Sequence, residues 1–258
     1  MAGKQTRTSL RLQLRIASTL AYSDLKNSYR RTSLGPIWGT VTSGVLILTL
    51  WSVFGNLFPD ASYFSYLALG ILLWSLISGP LAASSSIFSG NENLIRSTDI
   101  PLWTYLLRMM LRYLLVFAHS FIIVPIVVFF SGEIFPISSL WFILSFPLVV
   151  INVFWISSLL AFLSTRFRDF APIIANVTLV LFYMTPIFWK PDILHPTTRE
   201  SFLAWNPFYY LLNLLREPWL GNAPRIEDWT FGLLMAALGM LLLVFVYRSL
   251  RHRVIFWL

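Results

Sequence analysis

Cysteine is absent from the 258 residues of this chain, and charged residues make up only 12% of them. The absence of cysteine excludes a disulfide framework and any metal site built from thiolates. The shortage of charge excludes an ordinary water-soluble surface, because soluble proteins carry roughly 25% charged residues. Hydrophobic residues account for 57% of the chain, and its mean hydropathy is +0.72. This composition predicts a polytopic membrane protein.

A phosphate-binding loop of the form G-x-x-x-x-G-K-[ST] is also missing, and Gly3-Lys4 is the only Gly-Lys pair. Since that loop cradles nucleotide phosphates in many ATPases, any ATP that drives this protein must be hydrolysed by another chain. Catalytic groups are scarce as well, because the apolar segments contain one histidine, His119, and no Asp or Glu. We therefore expect no catalytic residue, no metal and no cofactor in this chain.

Six apolar segments lack Asp, Glu, Lys and Arg and are close to the length of about 20 residues that a helix needs to span a bilayer. They are residues 38–58, 63–83, 113–130, 140–163, 170–189 and 229–247. The third begins nearer Leu102, with Arg108 and Arg112 close enough to its end to reach the membrane interface. The predicted fold is all-α, with residues 1–258 forming one transmembrane domain of six helices.

The distribution of positive charge predicts the orientation in the membrane. Of the 19 Lys and Arg residues, 15 lie in the amino-terminal segment, at the carboxyl end, or next to alternate connections between the spans. The other four are Lys190, Arg199, Arg216 and Arg225. Short segments rich in Lys and Arg stay in the cytoplasm, so both termini are predicted to be cytoplasmic and residues 190–228 to lie outside. The net charge of +8 is then a topological signal, and we expect no nucleic-acid binding.

Residues 9–31 precede the first span and combine a row of apolar residues with cationic pairs four residues apart. The apolar row, at helical spacing, is Leu14, Ala17, Ala21 and Leu25. This pattern predicts a helix lying along the cytoplasmic membrane surface, and a partly ordered basic tail is the alternative. Gly35 and Pro36 then favour a turn into the first span.

The stretch NENLIRSTDIP, residues 91–101, joins the second and third spans. Leu94 and Ile95 lie among charged residues, and Pro101 stops any helix before the next span. A short amphipathic helix that presents apolar residues to a soluble partner is one interpretation, and a solvated loop is the other.

Residues 190–228 are too apolar for a flexible loop and too interrupted by proline for a straight span. The sequence SFLAWNPFYYLLNLLREPWLG predicts two half-helices broken at Asn206 and Pro207. Irregular backbone at membrane depth requires protein or water around it. A re-entrant outer gate containing Asn206, Pro207 and Arg216 and an interfacial amphipathic hairpin are both consistent with this pattern.

Aromatic residues are abundant, with 22 Phe, 11 Trp and 10 Tyr. Their flat apolar faces suit sugar rings, and Trp and Tyr add a polar group. Several recur at helical spacing and are candidates to line a pathway through the membrane: Trp51, Phe54, Tyr66, Trp74 and Phe182. Interface belts and ordinary helix packing are the alternative explanation for these residues.

The motifs YRRTSLGPIW, ENLIRSTDIP, and TPIFWKPDIL followed by WNPFYYLLNLLREPWLG occur in this order along nearly the whole chain. Together they resemble the permease subunits of ATP-binding-cassette exporters for bacterial surface polysaccharides such as O-antigen, capsular polysaccharide and teichoic acid. The resemblance implies a homodimeric permease with an amino-terminal interface helix and two outer re-entrant helices near residues 200–222. It also implies a coupling helix at residues 91–100, whose expected contacts with the ATPase are Glu92, Leu94, Ile95 and Arg96.

The resemblance further implies a location in the bacterial inner membrane, with two cassette ATPase subunits that bind ATP and magnesium as partners. The expected substrate is a polysaccharide linked to a polyprenyl lipid through phosphate, and membrane lipids surround the protein. Arg30 and Arg31, at headgroup depth, are candidates to hold that phosphate, although topology alone also explains their charge. Two alternatives stay open: a permease of the same fold that exports a drug or a small lipid, and a membrane-embedded transferase acting on polyprenyl-linked glycan.

Overall fold

The computed structural model describes residues 10–30, 37–58, 60, 62–131 and 136–258. In this part of the chain the regular structure is entirely helical, which confirms the predicted all-α class. The α-helices are α1 (Leu10–Ser28), α2 (Ile37–Phe54), α3 (Tyr63–Ser84), α4 (Glu92–Ser97), α5 (Leu102–Ser120), α6 (Ile123–Ser131), α7 (Trp141–Arg166), α8 (Phe170–Met184), α9 (Pro196–Ala204), α10 (Pro207–Arg216), α11 (Ile226–Leu250) and α12 (Val254–Trp257). Short 3-10 helices lie at Ser89–Asn91, Ile137–Leu140, Pro191–Ile193 and Glu217–Leu220.

Five helical segments among the described residues are long and apolar enough to cross a membrane. They are Ile37–Phe54, Tyr63–Ser84, Leu102–Val127, Ile137–Arg166 and Ile226–Leu250. The fifth predicted span, residues 170–189, forms a shorter apolar helix, α8, of 15 residues. It ends at Met184 because Thr185 adopts the extended conformation that a following proline favours. At about 1.5 Å per residue, α8 is roughly 22 Å long, less than the hydrocarbon thickness of about 30 Å.

Helix α3 lies at the centre of the bundle and contacts α2, α5, α6, α7, α8 and α10. Within its most apolar stretch, 72% of the residues are buried, compared with 6% for α2. Gly70 lets the backbone that follows α8 approach α3 closely. A Cβ at this position would clash with the carbonyl oxygen of Ile187, so any side chain here must displace that backbone.

Helices α7 and α11 are joined by one fully buried amide. The side-chain nitrogen of Asn152 donates hydrogen bonds to the carbonyl oxygens of Leu148 and Gly232, each at 3.0 Å, and its oxygen accepts one from the indole of Trp155. The Trp155 ring packs directly against Gly239. The hydrophobic effect does not drive apolar helices together in lipid, so close contacts at small residues and interhelical hydrogen bonds of this kind stabilise their packing.

The two ends of the bundle differ in what they contain. Asp60, just before α3, accepts a hydrogen bond from Lys190, so residues 190–228, which we call the outer segment, lie at the end where α3 begins. Helix α4 follows the opposite end of α3. There Phe88 contacts Phe162 near the end of α7, and Arg166 lies 5.7 Å from the centre of the Trp257 ring. The α4 end therefore also contains the last turn of α7 and the carboxyl-terminal helix.

Candidate functional site

Helix α1 packs alongside α5. Its apolar row was predicted to face the membrane surface, but Ala17, Ala21 and Leu25 are buried against protein, and only Leu14 is exposed. The predicted helix is therefore confirmed, while the assignment of its apolar face is corrected at three of four positions. The reason is that small alanine side chains permit close contact between two helices.

Arg108 on α5 joins three parts of the α4 end. Its guanidinium donates two hydrogen bonds of 2.6 Å to the carboxylate of Asp24 on α1, and a third of 2.9 Å to the side-chain oxygen of Asn91. One helical turn further along both helices, Arg112 donates to the hydroxyl of Ser28 at 3.0 Å. The step into α4 is thereby fixed to α1 through a single side chain.

Residues 91–100, which we call the coupling segment after their predicted role, contain the six-residue helix α4. Ile95 lies in the hydrophobic core and Leu94 packs partly against it, so the expectation that Ile95 is presented to a partner is corrected. The short helix turns its apolar side toward the bundle, as the burial of hydrophobic surface requires. Glu92 and Arg96 form an exposed ion pair of 2.8 Å on its outer side. Coupling through this segment stays a prediction, now with a polar contact surface.

Of the two arginines predicted to bind a lipid phosphate, the structure describes only Arg30. Arg30 is exposed after the end of α1, and its backbone N–H donates to the carbonyl oxygen of Asn27 at 3.2 Å. Arg31 lies outside the described residues, as do Gly35 and Pro36. Lipid-phosphate recognition by these arginines stays a prediction.

Most of the candidate pathway aromatics lie in a row of touching rings. Phe54 contacts Phe188, which stacks with Phe182, and Phe182 meets the edge of Trp74, with ring centres 5.4, 5.6 and 6.2 Å apart. Tyr66 and Trp74 are buried within the bundle. Trp51 differs, because it is 47% exposed on α2 and contacts Phe64. Ring-to-ring packing thus accounts for the positions of three of the five candidates, Phe54, Trp74 and Phe182, while Trp51 is partly exposed.

The outer segment contains the two short helices α9 and α10, which flank a break at Trp205 and Asn206. The side chain of Asn206 caps α10 by accepting a hydrogen bond from the backbone N–H of Phe208 at 3.0 Å. Its amide nitrogen donates to Thr185 at the end of α8, also at 3.0 Å. Pro207 occupies the first position of α10, where a missing N–H has no cost. The predicted break at Asn206 and Pro207 is therefore confirmed as a helix boundary.

Arg216, at the end of α10, is only 1% exposed. Its guanidinium carbon lies 3.9 Å from the centre of the Tyr66 ring, which is within the range of a cation–π contact. One terminal nitrogen donates to the carbonyl oxygen of Pro186 at 2.7 Å, and the other donates to the side chain of Asn213 at 3.2 Å. The Tyr66 hydroxyl donates to the same Pro186 carbonyl at 3.0 Å. These contacts fix α10 and α3 to the backbone after α8.

A cavity of about 1070 Å³ opens above Arg216 at the end of the bundle where α3 begins. Its wall carries charged and polar side chains: Lys190, Asp192, Arg199, Tyr209, Arg225 and Glu227. Ion pairs surround the cavity, because Lys190 contacts Asp60, Arg199 contacts Asp192, and Arg225 contacts Asp228. Hydrogen bonds from Lys190 and from the backbone N–H of Ser62 lower the pKa of Asp60 to about 2.

Comparison with known proteins assigns this chain to a family. Residues 17–219 match the family described as ABC-2 type transporter. The chain belongs to the ABC-2 type transporter family. This match extends from the buried row of α1 to the last 3-10 helix of the outer segment, so it includes both ends of the bundle.

Relatives of this ABC-2 transporter chain cover most of its length at low identity. A polysialic acid transport protein, KpsM of Escherichia coli, is 22% identical over 219 residues, which are 82% of this chain and 83% of the relative. An O-antigen export system permease protein, RfbA of Klebsiella pneumoniae, is 22% identical over 241 residues, or 89% and 90% of the two chains. RfbA of Myxococcus xanthus is 24% identical over 203 residues, covering 75% and 76%.

Two contacts were missed by sequence reasoning. Arg108 was interpreted only as a cation near a membrane interface, although a charge on a largely apolar helix usually has a buried partner. Asp24, the one acidic residue of α1, was available as that partner. The packing of Tyr66 against Arg216 had no comparable signal, because 150 residues separate them in the sequence.

Proposed function

We propose that this chain is the transmembrane subunit of an ATP-driven exporter that moves a lipid-linked polysaccharide out of the cytoplasm. The observation that carries the proposal is the family match over residues 17–219. Relatives named for polysialic acid transport and for O-antigen export, each aligned over most of both chains, support a polysaccharide as the substrate.

In this proposal the protein crosses the bacterial inner membrane six times, with both termini in the cytoplasm. The cation-rich connections support this orientation, since the ends of α7 and α11 and helix α4 lie together and carry Arg166, Arg248 and Arg96. Helix α8 and the residues that follow it to Trp189 form the fifth of these crossings, and α11 forms the sixth. Two copies of the chain assemble with two cassette ATPase subunits, which bind ATP and magnesium.

The α4 end is the place where the ATPase acts in this proposal. Helix α4 exposes Asn93, Arg96 and Ser97, so a partner contacts a polar surface there. A push on α4 reaches Asn91, which Arg108 holds, and Arg108 in turn holds Asp24 on α1. Displacement of the coupling segment is thereby transmitted to two helices together.

The outer segment forms a re-entrant gate in this proposal. Asn206 and Pro207 separate α9 from α10, and the cavity above Arg216 provides the polar surroundings that a broken helix needs at membrane depth. The exposed ring of Trp51 faces the sugar polymer, and the packed rings of Phe54, Trp74 and Phe182 form part of the wall of the pathway. Replacing Trp51 with Leu should lower export at constant membrane assembly, and unchanged export in that variant contradicts the role of the ring.

The proposed function is tested by complementation. A bacterial strain lacking its own O-antigen permease receives this chain together with its cassette ATPase, and surface polysaccharide is measured on intact cells. Export is expected with the active ATPase and not with an ATPase variant that cannot hydrolyse ATP. A membrane-inserted, ATPase-activating chain that moves small lipids or drugs but no glycan overturns the proposal. Glycan transfer by the purified chain without any ATPase indicates an enzyme instead.

A further inference from the structure

Arg216 carries a buried charge that is not neutralised by an ion pair among the described residues. A buried cation usually has a carboxylate partner, because removing a charge from water is unfavourable unless an opposite charge compensates it. The adjacent Glu217 accepts a hydrogen bond from Asn222 at 3.0 Å instead. A carbonyl oxygen, an amide oxygen and the face of Tyr66 are the only stabilising groups around the guanidinium in this part of the structure.

The other cations at the same cavity are all paired. Lys190, Arg199 and Arg225 each contact a carboxylate within 3.0 Å. These three residues lie on the wall of the cavity, and Arg216 lies with Tyr66 and Asn213 at its buried side. The rim cations are therefore neutralised, whereas Arg216 at the base has no carboxylate contact among the described residues. The carboxylate of Glu217, which also lines the cavity, accepts its hydrogen bond from Asn222.

The guanidinium of Arg216 has N–H donors that make no hydrogen bond to the described residues. A guanidinium has five N–H donors, and this one donates two hydrogen bonds to the described residues. Its Nε atom has no hydrogen-bond partner there. The N–H donors of a guanidinium lie in its plane, and the Tyr66 ring covers one of its faces, so an oxyanion binds the unused donors at the edge of the group.

We propose that Arg216 and the cavity above it form a binding subsite for an oxyanion, either phosphate or carboxylate, carried by the exported molecule. Tyr66 and Asn213 hold the guanidinium in place, and the paired rim cations leave Arg216 as the group that attracts the anion. The identity of the exported molecule rests on the proposed function, but anion binding is a property of this chain alone. Failure of export and failure of anion binding are therefore separate results.

The experiment uses the purified full chain in lipid nanodiscs without the ATPase. Three probes are compared by ligand-observed nuclear magnetic resonance: inorganic pyrophosphate, glucuronate and neutral glucose. The variants are Arg216→Gln, which keeps a donor toward Pro186, and Arg216→Lys, which keeps the charge. Arg199→Gln is the matched control, because it removes a paired cation from the same cavity.

At least one anionic probe is expected to bind the natural protein more tightly than glucose does. Arg216→Gln should weaken that binding by roughly tenfold or more, Arg216→Lys by less, and Arg199→Gln by less than about twofold. Preference for pyrophosphate assigns the subsite to a lipid phosphate, and preference for glucuronate assigns it to an acidic sugar. Equal binding of all three probes to the natural protein overturns the proposal even if Arg216→Gln fails to fold. Natural affinity in a folded Arg216→Gln protein overturns it as well.

Discussion

The carboxylate of Asp24 on α1 and the guanidinium of Arg108 on α5 form a bidentate pair, with both hydrogen bonds 2.6 Å long. Their side chains are 23% and 14% exposed, so the pair is partly shielded from water and from dissolved salt. The third bond of Arg108, to Asn91, extends the contact to the start of α4. A partly buried, bidentate ion pair of this kind is stronger than a surface ion pair, and it holds α1 in a fixed position relative to the coupling segment.

Breaking the Asp24–Arg108 pair should destabilise the protein measurably. In a double-mutant cycle with Asp24→Asn and Arg108→Gln, we expect a coupling energy of about 1–3 kcal/mol, as for hydrogen bonds between charged groups. The control cycle, Glu92→Gln with Arg96→Gln, should give less than about 1 kcal/mol because that pair is exposed. Unfolding in mixed micelles measures both cycles. Equal coupling energies would falsify the special role of the buried pair.

Charge reversal on the exposed side of α4 should impair coupling without unfolding the protein. Arg96→Glu changes the surface offered to the ATPase, whereas an acidic substitution at the buried Ile95 would disrupt the core and prove little. We expect lower ATP-driven export at normal membrane insertion. ATPase stimulation is measured in both variants: it should fall in Arg96→Glu and stay normal in the control Arg199→Glu, which lies at the opposite end of the bundle. Normal export from the Arg96→Glu protein excludes this surface from coupling.

Cysteine accessibility tests the proposed orientation, and the natural chain provides a background free of cysteine. Asn93 on α4, Thr198 on α9 and Ser249 near the end of α11 are exposed positions for single replacements. In intact cells an impermeant thiol reagent should label position 198 alone, and lysed cells should show labelling at all three. Labelling of position 93 in intact cells with protection of 198 means that the orientation is reversed.

The close contact at Gly70 should make this position intolerant of a side chain. Gly70→Ala places a Cβ against the Ile187 carbonyl and should destabilise the fold by about 1–3 kcal/mol, as overpacking does. Gly44→Ala is the matched control, since a Cβ there meets no atom within 4 Å. It should be neutral or stabilising by up to about 1 kcal/mol. Thermal unfolding of the two variants compares them, and similar melting temperatures contradict the close approach.

The ion pair between Asp60 and Lys190 should make the outer end sensitive to acid. The folded-state pKa of Asp60, about 2, is below the usual value of 3.8. The stabilisation is therefore fully present above about pH 4 and is lost as the pH falls through about 2. Hydrogen exchange near residues 60 and 190 should increase over this window in the natural protein and much less in Asp60→Asn, where exchange is already faster. High salt should reduce the difference, because the pair is exposed.

The pattern of residues was sufficient to predict the helical class, five of the six expected spanning helices, the break at Asn206 and the family. These features depend on local properties: the length of an apolar run, the position of a proline, and the order of short motifs. The amphipathic helix α1 was predicted in the same way, because Ala17, Ala21 and Leu25 recur with the period of a helix, and all three are buried in the structure. Periodicity shows which face is apolar, but it does not show whether lipid or protein covers that face.

Only the tertiary structure decided which partners meet across the bundle. Asp24 and Arg108 are 84 residues apart, and Tyr66 and Arg216 are 150 apart, so neither contact follows from local spacing. The burial of Ile95 and the shortening of α8 depended likewise on the neighbours that each segment found. In a membrane, apolar faces fit many alternative neighbours nearly equally well, and the choice among them is made by a few polar side chains and glycines at the contacts. Those contacts join parts of the chain that are far apart in sequence. Hydropathy therefore predicted the spans, whereas the residue pairs Asp24–Arg108 and Tyr66–Arg216 were visible only in the folded structure.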